Sequence, residues 1–347
     1  MRHSGIYWAI LLVMALNNGV NPMNGAKAPE EVCSGYLTDM NSFEEVKAAF
    51  EKICTWALTW SATLNNYTEH EFPRLFPFPN LSISTEGCME SGKDVSEGGA
   101  KYNSFGGTAT GLATSADSLT ALKYMIFDKH LVSKEEYLKA ILDNWEGHEM
   151  LRQRILKEVP HYGNADPYAD EQMKYCIDLY YKITRAFYNP RCKVYKCGTF
   201  GASDHVAQGE MTWATPDGRK AGEPIADASS PCQGRDVCGP TNVFLSSTAF
   251  DHGHFLDGMA LNLKIHPTSL KRDDGETKLA DMTKTYFDQG GMEIQYNVVD
   301  AATLRKAQEH PEDYHNLVVR IAGFSAYFVD MTEEMQNDII ARAEHKV

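Results

Sequence analysis

Helical periodicity alternates with short runs of β-branched and apolar residues through the second half of this 347-residue chain. We predict strands near residues 241–247, 260–265 and 292–299, with an amphipathic helix over residues 279–289 before the last of them. Strands that alternate with helices are typical of a sheet covered by helices. The sequence therefore predicts an α/β architecture.

The first part of the chain has the pattern of two helices followed by a loop-rich stretch. An apolar run over residues 6–16 passes into Asn-Asn-Gly and then a proline, which is typical of a buried helix that ends there. Asn41 and Ser42 are suited to cap a second helix that extends through Leu64. Glycine is dense over residues 87–111, where we expect loops and tight turns.

Charge and cysteine usage restrict the partners and the compartment. The formal net charge of −14 gives no basic surface for nucleic acid or anionic lipid, so we expect neither as a partner. The apolar run near the start is too short to span a bilayer, so no membrane association is expected. Eight scattered cysteines, with no histidine at ligand spacing, predict free thiols in a reducing cytoplasm and no metal site.

Gly323 is the most unusual residue of the C-terminal part. It interrupts an apolar, strand-like run over residues 318–328, where glycine costs stability and usually marks a bulge or a close approach of two backbones. Asp300 before this run and Thr332 after it are suited to cap the flanking helices. On its own, a glycine in this position is most simply structural.

The residues around Gly323 add a second signal. The heptapeptide R-I-A-G-F-S-A, from Arg320 to Ala326, closely resembles the R-V-x-G-Y-x-A signature of glycyl radical enzymes, with Phe324 in place of tyrosine. The resemblance covers essentially the whole chain, and pyruvate formate-lyase is a more distant relative. Further segments resemble, in order, landmarks of the branch that contains glycerol and diol dehydratases: P-F-P-N (77–80), G-K-D-V-S-E-G-G-A-K-Y-N (92–103), A-D-S-L (116–119), P-H-Y-G-N (160–164), A-T-P-D-G-R-K-A-G-E-P (214–224) and N-D-I-I-A-R-A-E-H (337–345).

The resemblance implies that Gly323 is the catalytic residue that carries the radical. An α-carbon radical is stabilised by the adjoining amide and carbonyl groups, and a side chain would crowd the planar centre. In the family a separate activating enzyme installs the radical with S-adenosylmethionine and an iron–sulfur cluster, so we expect this chain to bind no persistent cofactor. The glycyl radical then takes a hydrogen atom from a cysteine, and the resulting thiyl radical acts on a small-molecule substrate.

The segment Gly87-Cys88-Met89-Glu90 matches the G-C-x-E motif of that cysteine loop. In an extended loop, Cys88 and Glu90 would point the same way and could serve as hydrogen abstractor and base. The flanks of Cys88, however, resemble a second cysteine-containing segment of the dehydratases, downstream of the thiyl loop. We therefore predict that Cys88 is structural and that the thiyl cysteine lies before Met1.

The fold implied by the resemblance is a ten-stranded α/β barrel built from two five-stranded halves. This chain would be the second half, incomplete by itself, with residues 1–289 in the barrel and residues 290–347 in a glycyl radical domain. A half barrel leaves an open sheet edge that invites pairing with another chain. The expected partners are therefore the activating enzyme, a separately encoded N-terminal half and, as an open alternative, a second copy of this chain.

Three functions remain open on this interpretation. The first is the radical-bearing part of a dehydratase or lyase for a small polar substrate. The second is an arylacetate-type decarboxylase, a carbon–carbon lyase or a formate acetyltransferase-like enzyme of the same superfamily. The third is a non-catalytic subunit that donates a radical-bearing loop. His252, His254 and Glu223 are polar candidates for a pocket, but the sequence gives no reason to prefer any of them.

Overall fold

The computed structural model describes residues 3–201, 203–271, 273–321, 323–342 and 344–345. Within these ranges the strands are β1 (His3–Tyr7), β2 (Gly106–Thr110), β3 (Tyr188–Asn189), β4 (Lys193–Val194), β5 (Lys196–Gly198), β6 (Leu261–Ile265), β7 (Ile294–Val298), β8 (Val318–Arg320), β9 (Ser325–Tyr327) and β10 (Glu344–His345). The helices of the same ranges, short 3-10 turns aside, are α1 (Trp8–Leu16), α2 (Phe43–Leu75), α3 (Pro79–Ile83), α4 (Cys88–Ser91), α5 (Leu112–Leu122) with a π-helical continuation (Lys123–Asp128), α6 (Lys134–Leu142), α7 (Glu149–Glu158), α8 (Pro167–Thr184), α9 (Asp204–Glu210), α10 (Pro240–Ser247), α11 (Pro267–Leu270), α12 (Gly275–Asp288), α13 (Ala301–Glu309) and α14 (Glu333–Ala341).

Parallel strands form the centre of the fold. One sheet has the order β1-β2-β5 and another the order β10-β6-β7, and every pairing within them is parallel. A parallel bridge between Thr199, just after β5, and Met259, just before β6, joins the two sheets. The strands therefore lie side by side in the order β1-β2-β5-β6-β7. Helices connect these strands, as parallel pairing requires. The α/β class predicted from the sequence is confirmed.

The first helix is the apolar centre of the largest core. The predicted helix over residues 6–16 begins at Trp8, because Ile6 and Tyr7 extend β1 instead. The Trp8 ring meets Phe50 of α2 and Tyr180 of α8 edge-on, with ring centroids 5.8 and 5.4 Å apart. Because α1 is enclosed by other elements, it is apolar all round rather than amphipathic. No helix of the described chain is long and apolar enough to cross a bilayer.

The second helix begins as predicted and runs further. The Ser42 hydroxyl caps the helix by accepting a hydrogen bond from the Glu45 amide at 3.3 Å, and the Glu45 carboxylate accepts one from the amide of Asn41, just before the cap, at 2.8 Å. The helix continues to Leu75, beyond the predicted end at Leu64. The last turns of this helix contain no buried residue. The sequence there has no apolar stripe, so its periodicity did not predict the final turns.

The glycine-dense stretch contains a strand that the sequence does not predict. Loops and turns are expected over residues 87–111, yet Gly106–Thr110 forms β2 in the middle of the first sheet. A Cβ on Gly106 would overlap the Lys196 carbonyl of β5. Glycine here allows a close approach of two strands, and the same lack of side chains removes the alternating pattern that would have indicated a strand.

Residues 241–247 form the helix α10, so the predicted strand there is wrong. Pro240 occupies the first turn, where its fixed φ suits a helix and its missing N–H costs nothing. Phe244 packs against Tyr286 of α12, with ring centroids 5.2 Å apart. A short apolar run does not distinguish a buried helix from a buried strand by its period alone. The predicted strands at β6 and β7 and the helix at α12 are confirmed.

The C-terminal residues pack around a small core to which α9 adds one side chain, Val206. Asp300 accepts from the Thr303 amide at 2.7 Å to cap α13, and Thr332 accepts from the Met335 amide at 3.5 Å to cap α14, so both predicted caps are confirmed. The predicted domain boundary at residue 290 stays a prediction. The buried members of this core are Val206, Val299, Leu304, Ala307, Val319, Ile321, Phe328, Met335 and Ile339.

Phe50→Ala should lower the free energy of unfolding by about 3–5 kcal/mol, because it removes a fully buried ring that packs on Trp8 of α1 and leaves a cavity. Leu64→Ala on the same helix is the matched control. Leu64 is largely exposed, so its truncation should change stability by about 0.5 kcal/mol or less. Urea unfolding followed by circular dichroism measures both, and equal losses would contradict the packing described for α2.

Candidate functional site

Gly323 lies at the tip of a β-hairpin. β8 and β9 pair antiparallel, and the Ile321 amide donates to the Phe324 carbonyl at 2.9 Å. Two residues therefore remain for the turn, and the first of them, Ala322, lies outside the described residues. Gly323 has a φ of +92°, which glycine adopts without strain. The chain turns at Gly323 rather than passing it as a bulge in one strand, which corrects the bulged strand suggested by the sequence.

Two amide side chains of β7 hold this hairpin. Gln295 Oε1 accepts from the Gly323 amide at 2.9 Å and from Arg320 Nε at 2.8 Å. Asn297 Oδ1 accepts from the Arg320 amide at 2.7 Å, and Asn297 Nδ2 donates to the Arg320 carbonyl at 2.5 Å. The N–H beside the candidate radical carbon is therefore oriented by a buried amide.

The α-carbon of Gly323 itself is open. The residue is exposed, and a Cβ built on it would meet no atom of the described chain within 4 Å. The positive φ, and not crowding, is thus what favours glycine at this position. The hydrogens on this carbon are accessible to another molecule or to another polypeptide.

A buried ionic cluster lies beside the hairpin. Arg342, directly after α14, donates through Nη2 to Asp227 at 3.3 Å and to Asp338 at 3.2 Å, and through Nη1 to the Ile321 carbonyl at 3.3 Å. The same Asp338 oxygen, Oδ2, is also in hydrogen-bond contact with His205 Nε2 of α9 at 3.0 Å. All four charged side chains are buried. The cluster joins the end of the chain to residues more than a hundred positions earlier.

The pKa values in this cluster follow from burial and from the facing charges. Burial by itself lowers the pKa of His205, but Asp338 and Asp227 outweigh it, so this pKa is raised. Burial acts to raise the pKa of Asp338, yet the charges of His205 and Arg342 bring it down to about 2. Asp227 differs, because burial raises its pKa in spite of the same two cations. The net charge of the cluster is zero when His205 is protonated and both aspartates are ionised.

Lys264 joins the sheet to the end of α14. Its Nζ donates to the Ile340 carbonyl at 2.9 Å and to the Ile339 carbonyl at 3.3 Å. A cation at the C-terminus of a helix faces the negative end of the helix dipole. The side chain is fully buried, and this burial lowers the pKa of Lys264 to about 8. The sheet therefore holds the segment that follows the hairpin.

The A-T-P-D-G-R segment forms a second polar cluster with a structural role. Asp217 accepts from Ser118 Oγ and from Arg235 Nη2, each at 3.2 Å. Arg219 donates to five backbone carbonyls, and burial lowers its pKa to about 10. Because the side-chain nitrogens of Arg219 all donate hydrogen bonds to backbone carbonyls, they are not available to a ligand. The segment instead stabilises the loops around it.

A cavity of about 440 Å³ lies between α14 and the loops that follow α9. Glu223, one of the sequence candidates, lines it together with Glu210, and the lining reaches Asp338 of the ionic cluster. The other two candidates have different surroundings. His252 Nε2 lies against the carbonyl of residue 247, and the ring of His254 stacks on residue 181 at 3.8 Å.

Cys88 is buried in the four-residue helix α4, so the extended-loop alternative for G-C-x-E is wrong. The Glu90 carboxylate accepts from the Gly87 amide at 3.0 Å and thereby caps this helix, while its side chain remains exposed. Cys88 and Glu90 therefore do not face one substrate. This geometry favours the structural role predicted for Cys88.

The described part of the chain holds neither a metal-ligand cluster nor a disulfide. Within the ranges given above, no group of three or more His, Cys, Asp or Glu side chains is arranged to hold a metal ion. All eight cysteines are free thiols. The predictions of no metal site and of no persistent cofactor stay predictions.

Two family models match this chain. The pyruvate formate lyase-like model matches residues 2–209, and the glycine radical model matches residues 225–329, which include Gly323. The chain therefore belongs to the pyruvate formate lyase-like family of glycyl radical enzymes. The family resemblance predicted from the heptapeptide and the ordered landmarks is confirmed.

Known proteins are similar over most of the chain. It is 35% identical to the (2S)-3-sulfopropanediol dehydratase of Klebsiella oxytoca, over 96% of this chain and 41% of that protein. It is 32% identical to a 4-hydroxyphenylacetate decarboxylase glycyl radical subunit of Clostridioides difficile, over 88% of this chain and 36% of that one. The glycerol-bound B12-independent glycerol dehydratase of Clostridium butyricum superposes with a TM-score of 0.93 at 33% identity, covering 99% of this chain and 43% of that chain. The chain thus spans less than half the length of the relatives it matches.

His205→Gln should change how stability depends on pH. The folded-state pKa of His205 is raised above its unfolded value of about 6.5, so its ion pair stabilises the fold fully below that pH and less as pH rises through the raised value. The advantage of the parent over the variant should therefore shrink as pH rises from about 6.5 into the alkaline range. Urea unfolding of both proteins across this range measures the difference, in which the titration of Lys264 cancels. Parallel profiles would contradict the ion pair.

Proposed function

We propose that this chain is the radical-bearing C-terminal part of a glycyl radical dehydratase or lyase, with Gly323 as the radical carrier. The observation that carries the proposal is the exposed position of Gly323 at a hairpin tip, inside the stretch that matches the glycine radical model. The dehydratases among its relatives support elimination from a small polar substrate as the reaction of the whole enzyme.

The geometry around Gly323 suits hydrogen-atom transfer. Gln295 holds the amide, while the α-carbon has no neighbour where a side chain would be, so a hydrogen atom can leave and return without moving a side chain. Removal of one hydrogen leaves a radical between the amide nitrogen and the carbonyl. When that radical takes hydrogen from a cysteine S–H, the glycine C–H bond is restored and a thiyl radical remains.

We assign the thiyl cysteine to a polypeptide segment outside residues 1–347. Cys88 lies buried in a short helix, and the neighbouring Glu90 is already engaged in capping that helix. The chain matches 41–43% of the relatives' length, so the counterpart of a cysteine in the remaining part of those proteins would lie outside residues 1–347.

The succession β1-β2-β5-β6-β7 is proposed as the second half of a ten-stranded barrel. Among the described residues β1 pairs with β2 alone, which leaves one edge for a strand of the other half. Residues 1–289 would supply four of these strands, and residues 290–347 would be the radical domain, which adds the fifth strand, β7, and holds most of the small core that Val206 joins. The same open edge could instead pair with a second copy of the chain.

Activation is proposed to be external. A separate activating enzyme using S-adenosylmethionine and an iron–sulfur cluster would remove the first hydrogen atom from Gly323 and is the partner this assignment needs. Free thiols at all eight cysteines support a reducing cytoplasm as the compartment.

A second candidate is a decarboxylase or another carbon–carbon lyase of the same family. It is supported by the 4-hydroxyphenylacetate decarboxylase glycyl radical subunit among the relatives. A non-catalytic subunit that donates the radical loop is the third candidate. All three share the Gly323 radical and differ in what the part of the enzyme outside residues 1–347 would contribute.

Anaerobic incubation of the folded chain with an activating enzyme of this family and S-adenosylmethionine should give an electron paramagnetic resonance doublet. A doublet is expected because one α-hydrogen remains on the radical carbon, so protein labelled with α-deuterated glycine should give a collapsed signal. Gly323→Ala should abolish the signal.

Gly290→Ala is the matched control for that substitution. Gly290 also has a positive φ, +96°, and open space where a Cβ would lie, so alanine there imposes a comparable backbone strain. The control should retain the doublet. A signal that survives in Gly323→Ala, or that disappears equally in both variants, would contradict the assignment of Gly323 as the radical carrier.

A further inference from the structure

The hairpin that carries Gly323 is held from two sides. On one side, the side chains of Gln295 and Asn297 bind Gly323 and Arg320. On the other side, Arg342 Nη1 donates to the Ile321 carbonyl at 3.3 Å. The second contact reaches the peptide that leads directly into the turn.

The Arg342 guanidinium is fixed by charges from two different parts of the chain. Asp338 lies one helical turn before it, and Asp227 lies 115 residues earlier. A planar guanidinium can donate to both carboxylates and to a carbonyl at once, whereas a lysine ammonium is a single point of charge. Arg342 therefore connects the hairpin to the body of the fold in a defined geometry.

Asp227 is itself held in place on the body. Asn262 of β6 donates to its Oδ2 at 2.7 Å, and its Oδ1 lies where a Cβ on Gly201 would come within 2.5 Å. Because Gly201 has no side chain, Asp227 can occupy this position. The Asp227 carboxylate thus fixes Arg342 relative to β6, because it binds both Asn262 and Arg342.

We propose that Arg342 is a positioning residue for the radical loop: held by Asp227 and Asp338, it fixes the Ile321 carbonyl and thereby the direction of the Gly323 turn. The chemical meaning of this role rests on the proposed function of Gly323. The structural part of it does not require a radical.

The shortness of the turn is what makes this contact effective. Only two residues separate Ile321 from its partner Phe324, so the peptide of Ile321 determines the direction in which the tip points. If Arg342 releases Ile321, the β7 amides still hold one side of the hairpin and the tip can pivot on them. A free pivot would spread the orientations of the Gly323 α-carbon without unfolding the sheet.

Hydrogen–deuterium exchange of the full chain tests the positioning role without any radical. Arg342→Lys keeps the charge but loses the planar fork, and Gly201→Ala displaces Asp227 without touching Arg342. Both should speed exchange in peptides spanning residues 318–328 by about tenfold, the equilibrium factor expected when one charge-assisted hydrogen bond is lost. Peptides from α5 should exchange as in the parent. Arg305→Lys, an exposed arginine of α13, is the matched control and should leave residues 318–328 unchanged.

The radical signal supplies the second readout. In both variants the doublet should be broadened or weaker than in the parent, whereas Arg305→Lys should resemble the parent. Unchanged exchange over residues 318–328 in Arg342→Lys would overturn the positioning role, and so would an equal increase across α5, which would indicate general destabilisation. Absence of a doublet in the parent, with the exchange result intact, would instead count against the proposed function of Gly323 alone.

Discussion

The candidate site depends on two side-chain amides that act in place of a strand. Gln295 and Asn297 lie two residues apart on β7 and therefore project from the same face of that strand. They offer the hairpin the donors and acceptors that a neighbouring backbone would otherwise supply. Because the attachment is made by side chains, the hairpin tip stands away from the sheet and Gly323 remains accessible.

Buried polar groups organise the rest of the C-terminal half. Buried charges are costly unless they are paired, and the cluster of His205, Asp227, Asp338 and Arg342 pairs charges of both signs, while His205 Nδ1 and Asp227 Oδ1 have no hydrogen-bond partner among the described residues. The cluster around Asp217 does the same for the loops before α10. Several of these side chains come from the segments that resemble family landmarks, so those segments supply the internal framework rather than exposed ligand groups.

The sequence predicted those structural elements that a few neighbouring residues are enough to indicate. The caps at Ser42, Asp300 and Thr332 need only a few neighbouring residues to be recognised, and all three were predicted. β2 was missed because its glycines have no side chains to alternate, and α10 was mistaken for a strand because its apolar run is too short to show a period. The hairpin at residues 318–327 was also missed, since an apolar sequence around one glycine suits a bulged strand as well as a turn.

The sequence by itself determined the family, because the heptapeptide around Gly323 and the ordered landmarks are local strings that need no contacts to be recognised. It also determined the α/β class through periodicity. Only the tertiary structure decided that Cys88 is buried in a helix, that Gln295 holds the Gly323 amide, and that Arg342 holds the loop before it. These contacts join residues far apart in the chain, and no periodic or local pattern encodes which distant side chains meet when the sheet and helices pack.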